Sequence, residues 1–111
     1  VEVRILATGG TFDKEYDELR GQLFFKESHL TEILKLGRCR LEAEVETVML
    51  IDSLEMTEQD RRAIVEHCLS VPEERIIITH GTDTMVETAR LLATEVHGKT
   101  IVLTGAMIPF A

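Results

Sequence analysis

Two short turns carry the residues of this sequence best suited to chemistry: Ala7-Thr8-Gly9-Gly10-Thr11 and His80-Gly81-Thr82-Asp83. Each sets hydroxyls beside glycine, and Gly10 before Thr11 lets the backbone approach a small substrate closely. Hydroxyls with backbone N–H donors suit acyl transfer, in which a nucleophile attacks a carbonyl and amides hold the oxyanion. A threonine hydroxyl is a weak nucleophile at neutral pH and needs a base or a proton path nearby. Asp83 can pair with a cationic group such as an α-ammonium. A helix starting at Thr84 would add partial positive charge, worth about 0.3–1 kcal/mol to a nearby anion. Asp52-Ser53 and Tyr16 supply further polar groups. His and Cys form no cluster with ligand spacing, so no metal is expected.

The elements that must position these turns follow from periodicity. Val3 to Ala7 is an apolar strand stopped by Gly9-Gly10, with Val1 taken as opening directly into it. Phe12 to Lys26 mixes charges with Gly21 and reads as a functional or mobile loop with room for a short hairpin. Ser28 caps a short helix with Leu30, Ile33 and Leu34 inward, closed by Gly37. Leu41, Ala43, Val45 and Thr47 alternate with glutamates, as in a strand with one wet face.

Thr57 and Asp60 form a capping-box start for a helix carrying Ile64, Val65, Cys68 and Leu69, ended by Pro72. Arg75 to Thr79 is a strand buried on both faces. Thr84 and Glu87 form a second capping box, before a helix with Met85, Val86, Ala89, Leu92, Ala93 and Val96 inward and Gly98 at its end. Thr100 to Leu103 is a last apolar strand, read as buried on both faces with nothing after it to cover it.

Strands alternating with helices imply parallel pairing and a three-layer αβα sandwich. In such a sheet the turns after the strands lie on one edge, where ligands bind. Thr8, Thr11, Asp52, Ser53, Thr82, Asp83 and Ala106 can therefore converge although scattered in sequence. Each has an ordinary reading as well: a tight turn at Thr8–Thr11, a helix cap at Thr82-Asp83, a turn at Asp52-Ser53, a half-exposed ring at Tyr16. His80 reads equally as a satisfied buried histidine, and His29, His67 and His97 as surface residues.

The chain has 111 residues, enough for one compact domain, and a net charge of −8. That charge excludes nucleic acid and anionic membrane surfaces as natural partners. No apolar run is long enough for a membrane span, and no signal peptide is visible. Cys39 and Cys68 form no motif, Cys68 reads as a buried free thiol, and a cytoplasmic location is expected.

Three stretches carry a family resemblance. Ala7-Thr8-Gly9-Gly10-Thr11-Phe12 resembles the first signature of bacterial-type asparaginases and glutaminases. Ile78-Thr79-His80-Gly81-Thr82-Asp83-Thr84-Met85-Val86-Glu87-Thr88-Ala89 resembles the second, and Leu103-Thr104-Gly105-Ala106-Met107 the loop that follows it. The resemblance implies a Rossmann-like or flavodoxin-like α/β domain of asparaginase N-terminal type over residues 1–111, incomplete at its C-terminal end. It implies hydrolysis of the side-chain amide of L-asparagine, or of L-glutamine, to the acid and ammonia, with no metal or organic cofactor, in a homodimer or homotetramer.

By the same resemblance Thr11 is the nucleophile, and Tyr16 assists its proton transfer. Thr82 is the second essential threonine, and Asp83 pairs with the substrate α-ammonium. Ser53 holds the α-carboxylate, and Ala106 lines the site through its backbone. A lysine working with Thr82 and Asp83 belongs downstream of Ala106, and no residue here stands in for it. Leu54 and Ile108 replace polar residues common in the family. Other classes are an amino-acid-binding homologue without chemistry and a glutaminase subunit feeding ammonia to a partner enzyme. A nucleotide-binding domain is disfavoured, because neither G-x-G-x-x-G nor Gly-Lys-Ser/Thr occurs.

Overall fold

A computed structural model describes residues 2–25 and 28–109. The readings of Val1 as a strand start and of Lys26 as a loop end lie outside them. Four parallel strands form the sheet: β1 (Glu2–Ala7), β4 (Glu42–Thr47), β5 (Arg75–Thr79) and β6 (Thr100–Thr104), in the order β4-β1-β5-β6. Register sets Ile5 beside Val45 on one side and Ile77 on the other. Three helices connect the strands: α1 (Leu30–Leu36), α2 (Glu58–Ser70) and α3 (Met85–Glu95). The charged loop after β1 is a hairpin of β2 (Lys14–Asp17) and β3 (Gln22–Phe25), paired antiparallel.

Alternation along β1 and β5 feeds two cores. Val3, Ile5, Ala7 and Ile77 pack on the α1 side with Leu30, Ile33 and Leu34. Leu6, Ile76 and Ile78 pack on the other side with Ile64, Val65 and Cys68 of α2 and Leu92 of α3. This is the expected three-layer α/β arrangement, with β1 and β5 at its centre. Burial raises the Cys68 thiol pKa to about 11, and both cysteines are free. The far edge is pinned by Arg4, whose guanidinium meets Glu73 at 3.0 Å and Glu46 at 3.3 Å. No helix among the described residues is long and apolar enough to cross a membrane.

Local signals fare unequally. At α2 the capping box is complete: Asp60 N–H donates to Thr57 Oγ1 at 3.2 Å and Thr57 N–H to Asp60 Oδ2 at 2.8 Å. At α1 the expected Ser28 cap is not made: His29 holds the N-cap place without a side-chain cap bond, and the Ser28 hydroxyl, one residue earlier, accepts the Leu30 N–H at 3.3 Å. At α3 the expected box is not made, because Thr84 Oγ1 donates to the Ser53 carbonyl at 2.8 Å and Glu87 pairs with Arg61 at 3.1 Å. The inward face of α3 is also rotated: Thr88 is buried and Val86 is exposed. A polar residue can take the central place because its hydroxyl is bonded there to His80 and Arg61.

Three further expectations are corrected. Leu69 lies on the exposed side of α2. His29 is buried, because it sits beneath the hairpin at the start of α1, near Glu15 and Glu32. And β6 is not buried on both faces: Ile101 and Leu103 join the α2/α3 core, but Val102 is 52% exposed. Helix α1 has only seven residues and packs over β1 and its neighbours, so its layer stops short of Val102.

The core implies a stability prediction. Truncating fully buried Ile78 to Ala removes packing on the α2/α3 side and should cost about 2–5 kcal/mol in chemical denaturation. Leu19→Ala at the almost fully exposed hairpin tip should stay within about 0.5 kcal/mol of the parent.

Candidate active site

The chain leaves β1 toward β4 on one side of the sheet, and β5 leads to β6 on the other. Their connections diverge, so a crevice opens at the carboxyl ends of β1 and β5. The turns after β1, β4 and β5 meet there. The strands continue into them by backbone bonds: Val48 N–H to Ala7 O at 2.8 Å, Ile51 N–H to Thr8 O at 3.1 Å and Thr8 N–H to Thr79 O at 3.1 Å.

Close packing of these turns depends on glycine. Gly9 and Gly10 hold φ of 110° and 117°, where residues with a Cβ are strained. A Cβ at Gly9 would lie 2.5 Å from the Ile51 carbonyl oxygen, and one at Gly10 3.1 Å from His80 backbone atoms. At Gly81 the obstacle is a side chain, Ser53 Oγ at 2.6 Å.

One small cleft results, lined by Gly10, Thr11, Lys14, Asp52, Ser53, Gly81, Thr82 and Asp83. Thr11 opens a 3-10 turn after β1, Ser53 opens another after β4, and Thr82-Asp83 follows β5. Ser53 is buried, and its Oγ accepts the Thr84 N–H at 3.3 Å. An acceptor hydroxyl still has its own proton to donate. Lys14 Nζ bridges to Asp52 Oδ2 at 2.8 Å, and that ammonium, with the Leu54 N–H, holds the Asp52 carboxyl below its ordinary range. The cleft leaves about 20 Å³ of free space, room for a water rather than an amino acid.

Beneath the cleft, His80 is fully buried. Its Nδ1 donates to the Gly81 carbonyl at 2.7 Å, which leaves Nε2 as the acceptor for Thr88 Oγ1 at 2.8 Å. Arg61 Nε donates to the same hydroxyl at 3.3 Å. Burial lowers the His80 pKa, the Gly81 bond raises it, and nearby Arg61 lowers it again. Asp13 supports the other wall: its Oδ1 accepts the His29 N–H at 2.7 Å and its carboxylate receives the Ser28 hydroxyl at 3.2 Å. Its pKa is raised by burial, against these hydrogen bonds.

Of the residues singled out in sequence, Gly10, Thr11, Asp52, Ser53, Thr82 and Asp83 come together. Thr8 does not join them, since its hydroxyl donates to Thr79 O at 2.6 Å and is fully buried. Tyr16 is 56% exposed on the outer half of the hairpin and does not line the cleft. Ala106 lies instead in an apolar groove with Leu30, Ile33, Thr79, Thr104 and Gly105. The turn that carries it still reaches the cleft wall, where Thr82 Oγ1 meets Met107 Sδ at 3.8 Å. Lys14 was not anticipated: it sits in a charged stretch whose pattern gives no reason to single it out. No group of three or more potential metal-binding side chains occurs among the described residues.

Comparisons with known proteins bear on the family and the fold. The family model described as the asparaginase N-terminal domain matches residues 2–111. The thermostable L-asparaginase from Thermococcus kodakarensis superposes with a TM-score of 0.83 at 27% identity, covering 100% of this chain and 35% of that one. L-asparaginase I from Vibrio cholerae gives 0.85 at 25% identity, covering 99% and 35%. A probable cytoplasmic L-asparaginase from Campylobacter jejuni gives 0.80 at 29%, covering 97% and 35%. The chain thus spans about a third of the length of these relatives. A comparison with curated proteins gives no match.

The His80 site makes stability depend on pH. In the unfolded chain the imidazole takes up its proton near its ordinary 6.5, in the native state only at lower pH. Below about 6.5 the unfolded state therefore binds more protons, and stability falls as pH falls. The melting temperature should drop between about pH 7 and about pH 5.5. His80→Asn, which keeps a donor for Gly81 O but cannot be protonated, should lose most of that drop.

Proposed function

The chain belongs to the asparaginase family, matching its N-terminal domain over residues 2–111, and on that premise we propose that its cleft hydrolyses the side-chain amide of L-asparagine to the acid and ammonia. One observation carries the reading. Thr11, Thr82, Asp83 and Ser53 arrive from three separate turns and line a single cleft at the β1/β5 edge. The names of the Thermococcus, Vibrio and Campylobacter neighbours support asparagine as the substrate.

In the proposed reaction, Thr11 Oγ attacks the amide carbon and forms an ester, while the hydroxyl proton passes to the departing nitrogen as ammonia forms. Water then attacks the ester, returning the proton to Thr11 and releasing the acid. Asp83 receives the α-ammonium, and the Ser53 hydroxyl donates to the α-carboxylate. Thr82 faces the same space and assists the reacting end. Tyr16 takes part only if the hairpin moves, given its exposed place. The hairpin must also shift outward to admit the substrate, since the free space is about 20 Å³. L-glutamine differs by one methylene, which a pocket distinguishes by about 1–3 kcal/mol.

A cytoplasmic location is proposed with this reading, supported by the name of the Campylobacter neighbour. A homodimer or homotetramer is proposed on the family resemblance.

Thr11→Ala should cut ammonia release from L-asparagine by about 10³-fold or more, while calorimetry still shows L-aspartate binding. Undiminished release would refute Thr11 as nucleophile. Wild-type protein that binds L-aspartate but releases no ammonia from either amide would favour an amino-acid-binding homologue.

A further inference from the structure

Lys14 is the single cation lining the cleft among the described residues, set against the carboxylates of Asp52 and Asp83. It begins β2, directly after the 3-10 turn that carries Thr11. Two contacts fix its head: the 2.8 Å bridge to Asp52 and the face of Phe25, whose ring centre is 5.3 Å from Nζ. Phe25 is its cross-strand partner in the hairpin. The side chain is only 17% exposed, so the charge is held over the cleft rather than trailing in solvent.

An α-amino acid presents a carboxylate and an ammonium on one carbon. Asp83 offers the complement to the ammonium. A neutral hydroxyl at Ser53, beside the negative Asp52, offers only half of a carboxylate site. Without Lys14 the cleft would bring a substrate carboxylate against two fixed negative charges and no cation.

We propose that Lys14 is a substrate-binding, specificity-determining residue, whose ammonium leaves Asp52 in part to take the α-carboxylate alongside Ser53. This rests on the amidohydrolase reading above. In the empty cleft Asp52 occupies the ammonium that the α-carboxylate would take. Exchange of one carboxylate for another on the same Nζ couples entry of the amino acid to release of the hairpin from the β4 turn.

The test compares L-asparagine with L-asparaginamide, which keeps the side-chain amide but has no α-carboxylate. Side-chain hydrolysis is followed by chromatography of the acid product. Lys14→Gln should raise KM for L-asparagine about tenfold or more, with kcat little changed, and leave KM for the amide near its wild-type value. Lys14→Arg should recover most of the loss. Asp52→Asn separates this role from a merely structural latch. A cation freed from its partner should bind L-asparagine as well as or better than wild type, whereas loss of a latch should harm both substrates, as Lys14→Gln then would. Melting temperatures of all variants establish that they fold.

Equal losses on the two substrates, or none on either, would overturn the role of Lys14 while leaving the proposed function intact. Wild-type protein that hydrolyses neither would overturn the function, and this inference with it.

Discussion

Backbone-on-backbone contact among three turns is the constraint on which the rest of this structure depends. The β1 turn touches the β4 turn at Gly9 and the β5 turn at Gly10, and the β5 turn touches Ser53 at Gly81. At the closest of these points an added Cβ would lie 2.5 Å from Ile51 O, a distance no relaxed side chain occupies. The approach brings hydroxyls from distant parts of the chain to one crevice without long side chains to span the gap. Short side chains such as Thr and Ser have few rotamers, so their oxygens are placed largely by the backbone.

The constraint is reinforced from below by polar groups with no room to move. His80, Thr88 and Arg61 form a hydrogen-bonded line that ends on the Gly81 carbonyl. Its length ties the β5 turn to α2 and α3, the helices that cover one face of the sheet. On the hairpin side, Asp13 ties the end of the Thr11 turn to the start of α1. Each wall of the cleft is thus anchored to a different helical layer. The Lys14–Asp52 bridge runs between the hairpin and the β4 turn near the surface, where a rearrangement disturbs neither layer.

Much of this was legible in the sequence because burial leaves a period. Runs such as Arg75-Ile76-Ile77-Ile78-Thr79 announce a central strand, and the two cores divide β1 and β5 as alternation requires. The Thr57–Asp60 box was legible because its partners are local. The Thr84–Glu87 pair has the same spacing and fails, because Ser53 and Arg61, distant in sequence, bond those side chains instead. Thr88 was hidden for the same reason: a polar residue at the centre of a helix face is unreadable until its partners are known. Among the candidate residues, Gly10, Thr11, Asp52, Ser53, Thr82 and Asp83 line one cleft, whereas Thr8 and Ala106 lie outside it. Lys14 was not singled out, and Tyr16 lies outside the cleft, because a hairpin in a charged stretch fixes which side chain overhangs the cleft only through its register.

The parallel sheet carries a kinetic consequence as well. No strand in it pairs with a neighbour reached by a tight turn: Arg4 lies opposite Ile76, Glu2 opposite Glu42 and Arg75 opposite Thr100. Among the described residues only the β2–β3 pairing is local, and such a unit forms in about 1–10 μs. Every sheet contact must first close a long segment of chain, an entropic cost met before any packing repays it. β1, whose two sides both need partners from elsewhere, cannot be completed until β4 and β5 have both arrived. The same long-range pairing that brings the turns together means that the cleft cannot exist until β1, β4 and β5 have all been brought side by side.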